Sequence, residues 1–172
     1  KMMNVHVTSD LVEPVDIGVR WRLETRDGKC MSSGEQHLRA MALADSFVGS
    51  YDFTTLVSAE NQRKVVFVAE MLQDGKRIAQ SVTPFVANKH IELRKPALKV
   101  QSRVDGQTLC LDVSARYLAR FVELSIDGTD AVVHHRHDLV HVRRNRTEGA
   151  RDAIVQRYVI DRPRLVHRQV ER

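Results

Sequence analysis

The chain has 172 residues, of which 42% are hydrophobic and 28% are charged. These proportions are ordinary for a globular protein, so the composition does not indicate disorder. No apolar run approaches the roughly 18–20 residues that a membrane-spanning helix needs. The net charge of +5 is unevenly placed, since residues 1–130 carry 17 basic and 17 acidic residues. Residues 131–172 carry ten arginines, five acidic residues and five of the eight histidines.

The N-terminal residues contain no secretory signal, because an apolar signal core and a cleavage site are both missing. Strand-like residues follow Lys1 at once, so we expect the chain to be cut from something longer, and the sequence assigns no compartment. Cys30 and Cys110 lie far apart and form neither a disulfide framework nor a C-x-x-C metal pair. Both are predicted to be reduced, partly buried side chains.

Alternation of apolar and polar residues dominates the chain, and segment 17–24 shows it most clearly. One face of this segment holds Ile17, Val19, Trp21 and Leu23, and the other holds Gly18, Arg20, Arg22 and Glu24. A period of two residues is typical of a half-buried antiparallel strand. The polar face is expected to meet solvent.

Asp-Gly pairs separate the alternating runs, and such pairs favour hairpin turns because glycine tolerates a positive φ. The four pairs are Asp27-Gly28, Asp74-Gly75, Asp105-Gly106 and Asp127-Gly128. The strands predicted around the last three are Val65–Leu72, Arg77–Phe85, Lys99–Val104, Gln107–Val113 and Phe121–Ile126. Segment Leu38–Ala44 could form a short helix, but seven residues are few for one and we expect an outer strand.

These signals predict an all-β fold of two tandem antiparallel, immunoglobulin-like β-sandwich modules rather than a βαβ fold. The boundary is placed in residues 87–96, a polar stretch that ends in Pro96. The first module is predicted at 1–88. The second is predicted at 95–131, extending to 172 if the tail folds and remaining incomplete otherwise. Residues 132–172 form an atypical tail rich in arginine and histidine.

Motifs that carry catalytic chemistry are missing from the sequence. There is no G-x-S-x-G elbow, no Gly-rich phosphate loop, no H-E-x-x-H and no cysteine with a base nearby. The acidic residues are scattered over turns and strand faces that are expected to be exposed, and no pair is singled out as a glycosidase dyad. We therefore predict no catalytic residue, no cofactor and no metal site in this chain.

The aromatic residues raise the possibility of sugar stacking. Trp21 is the single tryptophan, and it shares a predicted strand face with apolar neighbours. Tyr51 and Phe53 alternate with a polar residue in the same way. Side chains in this pattern are typical of a sandwich core, so all three are predicted to be core residues.

Three histidines of the tail form the one candidate metal site. His135, His137 and His141 occupy odd positions and would share a face of a strand, where they could hold zinc. Asp138 is the one acidic residue near enough to orient them. We expect a solvated basic edge strand instead.

The arginines of the tail offer a nucleic-acid hypothesis. Arg143, Arg144, Arg146 and Arg151 could neutralise phosphates, but Tyr158 is the only aromatic residue available for stacking. Ten arginines without a lysine are also the composition of GC-rich DNA read in the wrong frame. A frame that restores alternating strands would support that second hypothesis.

Several segments resemble one family in their order and spacing. V-T-S-D-L-V-E-P-V at 7–15 and V-R-W-R-L at 19–23, followed by D-G-K at 27–29, are similar to the opening strands of a sandwich domain of β-mannosidases. K-H-I-E-L at 89–93, with Pro96 soon after, resembles a K-H-L-x-L-P linker. L-A-R-F-V-E-L at 118–124, with Asp127-Gly128, is similar to the final module.

Residues 4–131 thus resemble the C-terminal β-sandwich domains of large multidomain β-mannosidases. The resemblance implies a non-catalytic accessory region, because in that family a (β/α)₈ barrel carries two catalytic glutamates and releases terminal mannose from β-mannosides with retention. This chain has neither the length nor the βα alternation of a barrel, so no catalytic residue is carried over. The implied partners are the barrel and other domains of the parent enzyme.

The sequence departs from the family's pattern in its C-terminal part. Val133–Asp138 replaces an F-S-D-N-Y-F-like run, and the departure begins where the arginine-rich composition begins. Two alternatives to the accessory role stay open: a carbohydrate-binding sandwich module with weak sugar contacts, and a nucleic-acid-binding protein acting through the tail. We expect neither a nucleic acid nor a membrane to be the main partner.

Overall fold

The computed structural model describes residues 1–105, 108–122 and 154–161, the last segment by its backbone. Every paired strand among them is antiparallel. The strands are β1 (Met2–Thr8), β2 (Val15–Thr25), β3 (Cys30–Ala40), β4 (Asp45–Asp52), β5 (Val65–Gln73), β6 (Lys76–Pro84), β7 (Lys99–Asp105), β8 (Thr108–Ala115) and β9 (Ile154–Asp161). One 3₁₀ turn covers Asn88–His90. The all-β prediction is confirmed.

The chain divides into two compact units, Lys1–Lys95 (unit one) and Pro96–Arg172 (unit two). Within unit one, the segment after the 3₁₀ turn is tied to the sheets by polar contacts. Arg26 Nη1 donates to the carbonyl of Glu92 at 2.6 Å, and the Glu92 amide donates to the carbonyl of Arg63 at 2.8 Å. The module bounds of 1–88 and 95–131 stay predictions.

Unit one is a sandwich of two sheets. A two-stranded sheet pairs β1 with β4, and a four-stranded sheet has the order β3-β2-β5-β6. The core between them contains Val5, Ile17, Val19, Leu23, Ala40, Phe53, Val57, Val65 and Phe67. Its β2 members are those of the predicted apolar face, so the period-two pattern assigned the inner face of this strand correctly.

Two of the predicted Asp-Gly turns connect strands of unit one. Gly28 has a φ of 80° in the β2–β3 connection. Asp74 and Gly75 have φ values of 50° and 72° and leave two residues between β5 and β6. Positive φ at both central residues is what a type I′ hairpin requires.

The prediction for Leu38–Ala44 is right in part. The strand β3 continues to Ala40, but residues 41–44 form the turn into β4, in which Leu43 has a φ of 50°. Met41 and Leu43 are exposed there. An outer strand through residue 44 is therefore wrong, because the chain leaves the four-stranded sheet after Ala40 and enters the two-stranded sheet at Asp45.

Unit two contains a three-stranded sheet of order β7-β8-β9. The side chains of Val113, Ala115 and Ala119 form a small buried cluster beside it. Strand β9 lies in the predicted tail and pairs with β8 from Ala115↔Ile154 to Thr108↔Asp161. The strand predicted at Phe121–Ile126 does not begin at Phe121, which has a φ of 54°, a value foreign to strands.

Parts of several predictions lie outside the described residues. These include the turn residue Gly106, Gln107 at the start of a predicted strand, the rest of the Phe121–Ile126 strand, and the turn Asp127-Gly128. No helix among the described residues has the length and apolar character to cross a membrane.

Candidate binding surfaces

Trp21 is partly buried and packs against the core of unit one, on the strand face that the alternation predicts. Its ring centroid is 4.6 Å from that of Tyr51, 5.7 Å from that of Phe53 and 6.1 Å from that of Phe67. The indole also covers Gly34 on the neighbouring strand β3, where an added Cβ would lie 2.6 Å from Trp21 Cζ2. Close-packed aromatic rings of this kind stabilise a sandwich core.

The polar face of β2 is not fully exposed, which corrects the expectation from alternation. Glu24 is 4% exposed and Glu70, on the same face of β5, is 2% exposed. Arg22 lies between them, with Nη1 donating to Glu70 Oε2 at 2.7 Å and Nε donating to Glu24 Oε1 at 2.5 Å. Arg77 Nη1 on β6 donates to Glu70 Oε1 at 3.0 Å. These four residues form a partly buried charge network.

The electrostatics of this network favour the charged forms of Glu70 and Arg22. Burial alone would raise the pKa of Glu70, but hydrogen bonds and positive charge from Arg22 and Arg77 outweigh it and lower that pKa. Burial would likewise lower the pKa of Arg22, but Glu70 and Glu24 raise it above its ordinary value. Both shifts favour the charged form, so the ion pair between Arg22 and Glu70 is present near neutral pH.

The predicted metal and nucleic-acid residues lie largely outside the described part of the chain. The described residues do not include His135, His137, His141, Arg143, Arg144, Arg146 or Arg151. Tyr158 is described only by its backbone, in β9. In residues 1–105 and 108–122, no three His, Cys, Asp or Glu side chains converge as a metal site would need.

The two cysteines differ in their surroundings. Both are free thiols, as predicted, but Cys30 is exposed at the start of β3 whereas Cys110 is buried in β8. The expectation that both are partly buried is therefore wrong for Cys30. It begins a strand immediately after the β2–β3 turn, where the sheet edge meets solvent.

An open groove of about 590 Å³ lies on the outer face of the four-stranded sheet. Its floor is the cross-strand row His37, Gly18 and Leu72, contributed by β3, β2 and β5. The pair Arg20–Glu35 lies on one side of this row and the pair Asp16–Arg39 on the other. The hairpin turn Asp74-Gly75 closes one end. We call this feature the Gly18 groove.

Apolar side chains project from two adjoining loops of unit one. The amide of Leu43 donates to the carbonyl of Leu11 at 3.0 Å, which joins the β1–β2 loop to the β3–β4 turn. Val12 is 80% exposed and Leu43 69% exposed. Met41 and Leu11 are exposed beside them, and we call these four residues the apolar end. Large exposed apolar groups that cluster in this way mark interaction surfaces.

Comparison with known proteins identifies the family of unit one. A family model described as "Mannosidase Ig/CBM-like domain" matches residues 1–90, which is more than half of the chain. The chain belongs to the mannosidase Ig/CBM-like domain family. The resemblance to the sandwich domains of β-mannosidases, inferred from segments such as 7–15 and 19–23, is thereby confirmed.

A solved structure shares the fold of this mannosidase Ig/CBM-like chain. The crystal structure of a β-D-mannosidase from Dictyoglomus thermophilum aligns with a TM-score of 0.72 over 94% of the chain at 15% sequence identity. The chain spans only 18% of the length of that protein. A comparison with curated protein sequences gave no significant match.

Proposed function

We propose that this chain is a non-catalytic accessory region of a β-mannosidase. The observation that carries the proposal is the match of residues 1–90 to the mannosidase Ig/CBM-like domain family. The parent enzyme would be a retaining glycoside hydrolase that removes terminal β-D-mannose residues from β-mannosides, with its catalytic residues on a barrel that this chain lacks. The role of the chain is to pack against the barrel and stabilise it.

The apolar end supports this role and supplies a candidate contact surface. Leu11, Val12, Met41 and Leu43 expose apolar groups that gain roughly 25 cal/mol for each Å² removed from water. The left-handed backbone of Leu43 is a second sign, because a non-glycine residue at a φ of 50° is strained. Strained backbone conformations are found mainly at functional positions. An exposed leucine held in such a conformation therefore fits a residue that contacts another domain.

The coding DNA on both sides of this segment tests the proposal most directly. An in-frame segment with βα alternation and two glutamates at strand ends is expected next to it. A start codon immediately before Lys1, preceded by a stop codon, would contradict the proposal, and so would hydrolysis of a β-mannoside by the isolated chain.

A variant of the full parent enzyme tests the contact surface. The double substitution Leu11→Ser and Leu43→Ser should shorten the half-life of activity at elevated temperature while kcat for an aryl β-mannoside stays unchanged. Leu56→Ser is the control, because Leu56 is also exposed but lies outside the two loops of the apolar end. Equal half-lives for the double variant and the control would contradict a docking role for the apolar end.

A further inference from the structure

The Gly18 groove has a glycine at the centre of its floor, in the middle of strand β2. Gly18 lies in β2 between His37 on β3 and Leu72 on β5. A Cβ added at Gly18 would lie 3.2 Å from His37 Cε1 and 3.6 Å from Leu72 Cβ, so the His37 ring lies close over this glycine and a larger side chain would displace it. A glycine inside a strand weakens it and often marks a close approach. The groove volume of about 590 Å³ is within the range of roughly 300–1,000 Å³ found for small-molecule sites.

Two ion pairs form the walls of this groove. Arg20 Nε donates to Glu35 Oε2 at 2.9 Å, and Arg39 Nη1 lies 3.8 Å from Asp16 Oδ2. Asp16 and Arg20 are four residues apart on one strand face, which separates the walls by about 13 Å. The floor row with Gly18 runs midway between them.

The walls offer hydrogen-bond donors and acceptors in near-equal measure. Each guanidinium has five N–H donors and each carboxylate has about four acceptor positions, so one ion pair leaves most of them available. The Arg39–Asp16 pair is largely exposed, which keeps these groups open to a ligand. His37 adds a ring nitrogen 3.4 Å from Glu35 Oε1.

The charge of the groove selects against ions. The lining carries two guanidinium groups and three carboxylates, those of Arg20, Arg39, Asp16, Glu35 and Asp74. A phosphate would meet more negative than positive charge. The carboxylates are spread over both walls and the hairpin turn, and no metal-binding cluster is found in the described residues. The best complement is therefore an uncharged molecule.

We propose that the Gly18 groove binds a neutral saccharide. A hydroxyl group donates and accepts at once, so it fits walls in which acidic and guanidinium groups alternate. The C–H faces of a sugar ring would lie on the floor, against the buried Leu72 side chain and the His37 ring. This site lies within unit one and does not depend on the accessory role, because the isolated chain would bind as well.

The test is a titration of the ¹⁵N-labelled full chain with β-1,4-mannobiose and, separately, with cellobiose. At least one disaccharide should shift the amide signals of Gly18, His37 and Gly75 saturably, with a Kd on the order of 1 mM. Gly18→Val should abolish these shifts, since the new side chain occupies the floor.

Two further variants keep the test informative if Gly18→Val does not fold. His37→Ala should weaken binding at least severalfold by removing one end of the floor. His6→Ala is the matched control, because His6 also pairs with a carboxylate on an exposed strand, with Nδ1 2.6 Å from Asp45 Oδ2 on the other sheet. It should leave the Kd unchanged.

Several outcomes would overturn the proposal. These are the absence of saturable shifts with both disaccharides, shifts centred away from the groove, and equal loss of binding in His37→Ala and His6→Ala. Tighter binding of inorganic phosphate than of either disaccharide at these amides would also overturn it, since the groove would then be an anion site. None of these outcomes bears on the accessory role, which is decided by the neighbouring coding DNA.

Discussion

Removing the charge of Glu70 should destabilise unit one far more than removing the charge of an exposed acid on the same sheet. Glu70→Gln preserves the shape of the side chain but deletes a carboxylate that is 2% exposed and accepts from Arg22 at 2.7 Å and from Arg77 at 3.0 Å. Breaking a buried ion pair costs about 3–5 kcal/mol. Arg22 retains Glu24 at 2.5 Å, so the lower end, about 3 kcal/mol, is expected.

Urea unfolding followed by the fluorescence of Trp21, the single tryptophan, measures this loss in unit one. With an m-value of about 2 kcal/mol/M, the midpoint should fall by roughly 1.5 M urea. Glu35→Gln is the matched control, because Glu35 also pairs with an arginine of β2 but is 36% exposed. Exposed pairs contribute only about 0–1 kcal/mol. Equal midpoint shifts for the two variants would refute the reasoning from burial.

The stability difference between the wild-type chain and Glu70→Gln should depend on pH. The folded pKa of Glu70 is lowered, so its contribution to the free energy of unfolding is complete above the unfolded pKa of about 4.3 and is lost as the pH falls through the folded value. The stability gap between the wild-type chain and Glu70→Gln should therefore be constant near neutral pH and narrow below about pH 4. A gap that widens on acidification would contradict the lowered pKa.

Two other sites give predictions of different kinds. Gly34→Ala should lower the free energy of unfolding by about 1–3 kcal/mol through overpacking, because the new Cβ would lie 2.6 Å from Trp21 Cζ2. A shifted Trp21 emission spectrum and a lower urea midpoint would show this loss. An unchanged spectrum and midpoint would contradict the close packing of the indole on β3. A thiol reagent should modify one cysteine of the folded chain quickly, Cys30, and reach buried Cys110 only on unfolding. Equal modification rates for Cys30 and Cys110 in the folded chain would contradict the difference in their exposure.

Sequence reasoning succeeded where a local rule determines the structure. Ile17, Val19 and Leu23 were assigned to the core by alternation alone, because side chains two residues apart on a strand share a face. The turn at Asp74-Gly75 was assigned because few residues other than glycine and aspartate tolerate two successive positive φ values.

The failures occur where tertiary contacts decide. Alternation shows which residues share a face but not how deeply that face is buried, so the burial of Glu70 and Glu24 was missed. The turn at Leu43 contains no glycine and was taken for strand. The Gly18 groove did leave a signal, a glycine in the middle of an otherwise regular strand, but the sequence does not show which side chains surround it.

Stability and saccharide binding are expected to be separable on the outer face of the four-stranded sheet. Glu70 does not line the Gly18 groove. A disaccharide at ten times its Kd should therefore raise the free energy of unfolding by about 1.4 kcal/mol in the wild-type chain and equally in Glu70→Gln. Gly18→Val should show no increment at the same disaccharide concentration. At a fixed disaccharide concentration, the rise in the free energy of unfolding depends only on the Kd. A smaller rise in Glu70→Gln would therefore mean that this variant binds the disaccharide more weakly, and that the buried charge network helps to hold the groove in shape.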